Sequence, residues 1–260
     1  MASDPFIQVL DSGDIRPSLG RNLTYGMLDS LGRAIVTGRY EQQPFPTEAQ
    51  LTQAHGVSRS VTREAVKMLT AKGLLSARPR QGTIVQPAET WNLFDTDVLR
   101  WLLERKFSVD LLRHFNQLRV AIEPEAAALA ARFGGTDDLR GIDEGLARMF
   151  AAEQGRDEPL EADIAFHIAI LKASKNPFYA QFRDVVMTAL RTSIRFTNRI
   201  KGRTANIADH AAVRDAIVAH NPDAARVAMR RLIADVLALI EQVEADRPAV
   251  VDPSIITASS

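Results

Sequence analysis

Apolar residues first fall into register at Leu23, Met27, Leu28, Leu31 and Ile35, the spacing of one helix face, and Gly38 closes the run. After the stiff connector Gln43-Pro44-Phe45-Pro46, Thr47 and Gln50 have the form of a capping box, which predicts a short helix from Glu48 to about His55. Gly56-Val57 reads as a tight turn, and Ser58 is placed to cap a further helix that Gly73 ends. On that helix Val61, Ala65, Met68 and Leu69 share one face, leaving Arg59, Ser60, Thr62 and Arg63 on the other. Past Gly73 the period changes. Leu74 to Arg78 and Thr83-Ile84-Val85 read as two strands joined by Pro79-Arg80-Gln81-Gly82. Helix, turn, helix and a basic-tipped hairpin make a winged helix-turn-helix.

From Trp91 to about Asp246 every segment reads as helix, with Asp95 or Thr96 as the first cap. Trp91 and Trp101, the only tryptophans, are expected to anchor the linker to the second domain, because large aromatics bury much area. Leu111, Leu112, Phe115, Leu118 and Ile122 form one stripe, and Pro124 is expected to bend that helix before it continues to Phe133. Gly134-Gly135, Asn176-Pro177 and Asn221-Pro222 separate the helices that follow. The expected fold is mainly α: a winged helix-turn-helix, then an all-α bundle of six or seven helices. The boundaries are a lead-in at 1–20, the winged helix at 21–87, a linker at 88–94, the bundle at 95–246 and a flexible tail at 247–260.

The formal net charge is zero, with 32 basic and 32 acidic residues, so the whole molecule carries no general attraction for nucleic acid. The distribution is uneven. Through Val85 there are ten Lys or Arg against seven Asp or Glu, a balance of +3, and the remainder carries −3. The absence of cysteine excludes disulfides, thiolate metal sites and thiol nucleophiles. The first residues lack a basic stretch followed by an apolar one, and no run approaches the roughly 18 apolar residues of a membrane span. A soluble, cytoplasmic protein without membrane contact is expected.

From Arg59 to Arg80 six basic residues face a single acid, Glu64. Short polar and guanidinium groups at a helix start suit the major groove, where Arg meets guanine O6 and N7 bidentately and Ser or Thr reach base edges or phosphates. Ser58, Arg59, Ser60, Thr62 and Arg63, with Arg80 and Gly82 on the wing, are the candidate contacts to double-stranded DNA. A homodimer would read two half-sites of a near-palindromic operator.

This stretch resembles the DNA-binding domain of the GntR family of bacterial transcription regulators. The resemblance rests on Pro46-Thr47-Glu48, Gly56-Val57-Ser58-Arg59, Arg63-Glu64-Ala65 and Gly82-Thr83. It implies DNA contacts from Ser58, Arg59, Ser60 and Arg63, with Gly82 where the wing enters the minor groove. Two residues depart from the pattern: Ala49 replaces a common DNA-contacting arginine, and Arg80 replaces a common wing glycine.

Asp163 and His167, four apart, emerge from one helix face, a spacing that can place both on one cation but by itself favours a surface pair or a buried hydrogen bond. His210 is a possible third ligand. Here too the chain resembles the FadR-type subfamily, whose helical FCD domain binds an effector and often a divalent metal through one Asp and three His. Asp163, His167 and His210 match three of those ligands, and Leu232 stands where the fourth histidine falls. Zinc, nickel or manganese would suit such oxygen and nitrogen donors. The stretch Trp91 to Glu104 and the missing fourth histidine are similar to galactonate-operon repressors, which implies a small organic acid effector, a sugar acid such as an aldonate. Arg119 and Arg191 match arginines in that resemblance and suit a carboxylate, although Arg119 can also pair with Glu123 one turn on. The expectation is a repressor, not an enzyme, that binds an effector through Arg119, Asp163, His167, Arg191 and His210. A lactate-type acid or acyl-CoA is the alternative effector, and a metal-dependent helical enzyme the rival function.

Overall fold

The computed structural model describes residues 23–78, 82–105, 108–200 and 206–245. The expected lead-in, the tail and Arg80 lie outside them. The chain forms two compact units, meeting in sequence between Phe107 and Ser108.

The first unit begins with α1 (Leu23–Val36), whose Met27, Leu28, Leu31 and Ile35 are buried as the stripe requires, whereas Leu23 is exposed. Helix α2 (Glu48–His55) starts at the capping box: Gln50 N donates to Thr47 Oγ1, and Thr47 N donates to Gln50 Oε1. Gly56 ends it at φ 61°, a left-handed conformation that glycine adopts without strain. Helix α3 (Arg59–Ala71) is capped by Ser58, which accepts from Val61 N. Strands β1 (Leu75–Arg78) and β2 (Gly82–Val85) pair antiparallel, Leu75 opposite Val85 and Arg78 opposite Gly82.

The first unit runs further than the sequence pattern implies. Helix α4 (Thr96–Leu102), expected to open the bundle, instead packs against α1. Trp101 is fully buried there, against Gly32, where an added Cβ would come within 2.2 Å of the ring, and its Nε1 donates to Asp29 Oδ1 at 2.9 Å. The expected linker is likewise tied down: Asn92 N donates to Lys72 O and Trp91 Nε1 donates to Gln86 O. The two tryptophans therefore anchor 88–102 to the winged helix rather than to the bundle. The cause is a cradle that only a glycine on α1 leaves open, which apolar spacing does not reveal.

The second unit contains seven helices among the described residues: α5 (Val109–Phe133), α6 (Thr136–Glu153), α7 (Pro159–Ala173), α8 (Pro177–Gln181), α9 (Arg183–Ile200), α10 (Ile207–Val218) and α11 (Pro222–Ala245). Helix α5 passes through Pro124 as one helix and is the hub, touching α7, α9, α10 and α11. Ala126, Ala127, Ala130 and Ala131 give it a small-residue face, so neighbours approach closely and dispersion contacts accumulate. Gly145 does the same for α6, since an added Cβ would lie 2.7 Å from Phe166 Cα on α7. Leu232 is half-buried and packs against this core.

Candidate functional sites

At the start of α3, Arg59, Ser60 and Arg63 are exposed. The Ser58 and Ser60 hydroxyls hydrogen-bond each other at 2.8 Å, and Arg63 lies 3.7 Å from Glu48 in a loose, solvated pair. Gly82 takes φ 78° with open space beside it. Thr62 departs from expectation. It is fully buried, and its hydroxyl bonds Thr52 Oγ1 at 2.9 Å and donates to Ser58 O at 3.3 Å. It joins α3 to α2, so it is withdrawn from the DNA-contacting candidates: the apolar face of α3 is Ala65, Val66 and Leu69, and Thr62 lies on it.

In the bundle, α5, α7 and α10 bring together side chains far apart in sequence. His210 Nε2 lies 2.9 Å and His167 Nε2 3.4 Å from Asp163 Oδ1. One donor atom from each of the three residues fits within 4.8 Å, and all three are buried. His167 Nδ1 hydrogen-bonds Glu123 Oε2, and Arg119 Nε donates to Glu123 Oε1 at 2.6 Å. Arg119 Nη1 donates to Asn116 Oδ1 at 3.2 Å, and Nη2 lies 3.4 Å from His167 Nε2. Arg191 pairs with exposed Glu161 at 3.0 Å and makes no hydrogen bond to this group among the described residues.

The electrostatics follow from this packing. Burial pushes the Glu123 carboxyl up, but the charges and hydrogen bonds of Arg119 and His167 prevail and hold it at about 2. Asp163 is also opposed by burial, yet His167 and His210 keep it well below the usual carboxylate range. Burial alone would lower His167; the Glu123 charge and hydrogen bonds to Asp163 and Glu123 instead raise it to about 9. His210 Nδ1 donates to Asn206 O at 2.7 Å, which turns its Nε2 toward Asp163 Oδ1 at 2.9 Å.

The donor set therefore fits a divalent cation. Two imidazole Nε2 atoms and a carboxylate oxygen converge, and both imidazoles are oriented through Nδ1, His167 by Glu123 and His210 by a backbone carbonyl. Glu123 was foreseen only as a helix partner of Arg119, and Asn116 not at all. One signal was legible: Leu112, Asn116, Arg119, Glu123 and Ala126 follow helical spacing on the buried face of α5, and three polar residues in such a stripe mark a site.

The folds and sites together define a winged-helix DNA-binding regulator whose second domain is helical. Residues 26–85 match the family described as bacterial regulatory proteins, gntR family, and residues 115–235 match the FCD domain. The chain is 34% identical to the uncharacterized HTH-type transcriptional regulator YieP of Escherichia coli (strain K12), over 82% of this chain and 93% of that one. It is also 34% identical to the galactonate operon transcriptional repressor of the same organism, over 82% of this chain and 94% of that one. Among solved structures, Lar, described as controlling the agr system of Listeria monocytogenes, shares the fold with a TM-score of 0.58 at 18% identity, covering 86% of this chain and 98% of that one. The chain belongs to the GntR family of transcription regulators, in its FCD-domain branch. This is a family of DNA-binding regulators and not of enzymes, which sets the metal-dependent enzyme aside. No helix among the described residues is long and apolar enough to cross a membrane.

Proposed function

We propose that this regulator is a homodimeric repressor that leaves its operator when a small organic acid, a sugar acid such as galactonate, binds the buried group of the FCD domain. The observation that carries this reading is the burial of Arg119, Glu123, Asp163, His167 and His210 in one hydrogen-bonded cluster. Buried ionisable groups are costly, and such clusters concentrate at functional sites. With two carboxylates against one guanidinium, a divalent cation bound at this group would leave one positive charge over, which suits an acid. The relation to a repressor named for the galactonate operon supports the same ligand class.

Asp163, His167 and His210 would hold zinc, nickel or manganese, and the metal when bound supplies Lewis-acid positions for an effector's carboxylate or hydroxyl oxygens. Arg119 binds the acid, while Glu123 fixes the orientation of both Arg119 and His167. Arg191 is not needed at this centre. On the DNA side, Ser58, Arg59, Ser60 and Arg63 contact a near-palindromic operator, with Gly82 and Arg80 on the wing. If the acid binds more tightly to the DNA-incompetent state, linkage releases the operator, and couplings of about 1–3 kcal/mol give a 5- to 150-fold loss of affinity.

A mobility-shift assay on the region upstream of the protein's own gene, with galactonate, gluconate, lactate and an acyl-CoA, tests this. Release by an aldonate alone is expected. Release by lactate or acyl-CoA alone would move the effector to that class, and indifference to every acid would remove the sugar-acid reading.

A further inference from the structure

Beside the Asp163, His167 and His210 group, at least three buried donor hydrogens lack an acceptor among the described residues. Arg119 carries five N–H bonds; one goes to Glu123 and one to Asn116, and with the one that faces His167 Nε2 set aside, two remain. The third donor is the Ser193 hydroxyl on α9. Thr188 and Thr192 on the same helix donate theirs to carbonyls one turn back, Asp184 O and Thr188 O, and Ser174 donates to Leu171 O. Ser193 makes no such bond. It is 5% exposed, and its oxygen accepts from Asn116 Nδ2 at 3.2 Å. Buried donors without acceptors are uncommon and unfavourable, and each calls for a partner.

Asn116 makes neighbours of these donors. Fully buried on α5, it is fixed by donating to Leu112 O at 2.8 Å; its remaining N–H goes to Ser193, and its oxygen accepts from Arg119. One carboxamide thus holds a hydroxyl at one end and a guanidinium edge at the other.

We propose that Ser193, presented by Asn116, completes with Arg119 a carboxylate subsite on α5 and α9, beside the Asp163, His167 and His210 group. The acid group of a small polyhydroxy acid accepts from Arg119 and Ser193, and its hydroxyls lie toward Asp163, whose Oδ2 has no donor among the described residues. The donor surplus selects for an anion over a neutral polyol, and an acyl chain would leave all three donors without acceptors. This rests on the buried group being the effector site and divides that site into an acid end and a hydroxyl end.

Isothermal titration of the metal-replete, full-length protein with galactonate and with galactitol, its neutral counterpart, tests the division. Wild type should prefer the acid. Ser193→Ala should lose about ten- to a hundredfold in galactonate affinity, the effect of one hydrogen bond to a charged group, with metal content and unfolding temperature unchanged. Asn116→Ala should lose a similar factor, and the double variant little more, because the two act as a unit. Should Asn116→Ala not fold, Ser193→Ala decides alone. Unchanged galactonate affinity in Ser193→Ala would overturn the subsite and leave the sugar-acid reading standing. A wild type that binds neither galactonate nor gluconate would overturn both.

Discussion

Lys72 Nζ lies 2.7 Å from Asp95 Oδ2, so the residue that closes the recognition helix grips the residue that opens the next one. Asp95 also accepts from Asp97 N and Val98 N at the start of α4, and Asp97 shares Lys72 at 2.9 Å. One carboxylate therefore caps a helix and ties it to α3.

Lys72→Met should destabilise the first unit by about 1–3 kcal/mol at pH 7, between the values for exposed and buried pairs. For Asp97, burial would raise the carboxyl, but Lys72 and Arg100 hold it below its ordinary range; for Lys72, burial opposes the charge and the two carboxylates raise it nonetheless. The stability Asp97 contributes is present above its unfolded pKa near 4 and lost as pH falls through the lower folded value. That of Lys72 is present below about 10.4 and lost as pH rises through its higher folded value. The gap between wild type and Lys72→Met should thus close in acid. Urea unfolding followed by tryptophan fluorescence reads this directly, because both tryptophans lie in the first unit.

Thr62 and Arg63 are adjacent and should behave oppositely. Thr62→Val, which removes the bonds to Thr52 and Ser58, should cost about 0.5–1.5 kcal/mol of stability and leave operator affinity of the folded protein nearly intact. Arg63→Ala should leave stability unchanged and weaken operator binding by about 1–3 kcal/mol. Parallel unfolding and fluorescence-anisotropy titrations separate the two; a Thr62→Val protein that is stable but no longer binds DNA would restore Thr62 to the DNA face.

Gly32→Ala places a methyl group where the Trp101 ring lies, and should cost about 1–3 kcal/mol as an overpacked site. The expected signature is a shifted Trp101 emission as α4 lifts from α1. An unshifted spectrum with full stability would show that the cradle yields.

Glu123→Gln should weaken zinc or nickel binding about 10- to 100-fold, because the imidazole of His167 loses the carboxylate that orients it. Metal binding must also displace the His167 proton, held to about 9 by Glu123 and Asp163. Apparent metal affinity of the wild type should therefore rise with pH up to about 9. A chelator-competition titration across that range checks both, and a flat profile would mean that His167 is not a ligand.

What the sequence revealed was mostly local. Thr47 with Gln50, Ser58 and Gly56 cap and end helices through contacts within four residues, so their positions follow from spacing. Thr62 and Trp101 were misplaced because their partners, Thr52 and the Gly32–Asp29 edge of α1, come from other helices. The site divides likewise. Asp163 and His167 share one turn of helix, but Glu123, Asn116 and Ser193 gain their roles only where α5 meets α7 and α9. Arg191 was suggested by resemblance, and in this structure it pairs with Glu161.

The measurement closest to the core of this mechanism is operator anisotropy with increasing galactonate, for wild type and His167→Ala side by side. Both should bind operator equally in the absence of acid; wild type should be released and His167→Ala should stay bound. Release of His167→Ala at the same galactonate concentration would place the effector outside the Arg119, Glu123, Asp163, His167 and His210 cluster.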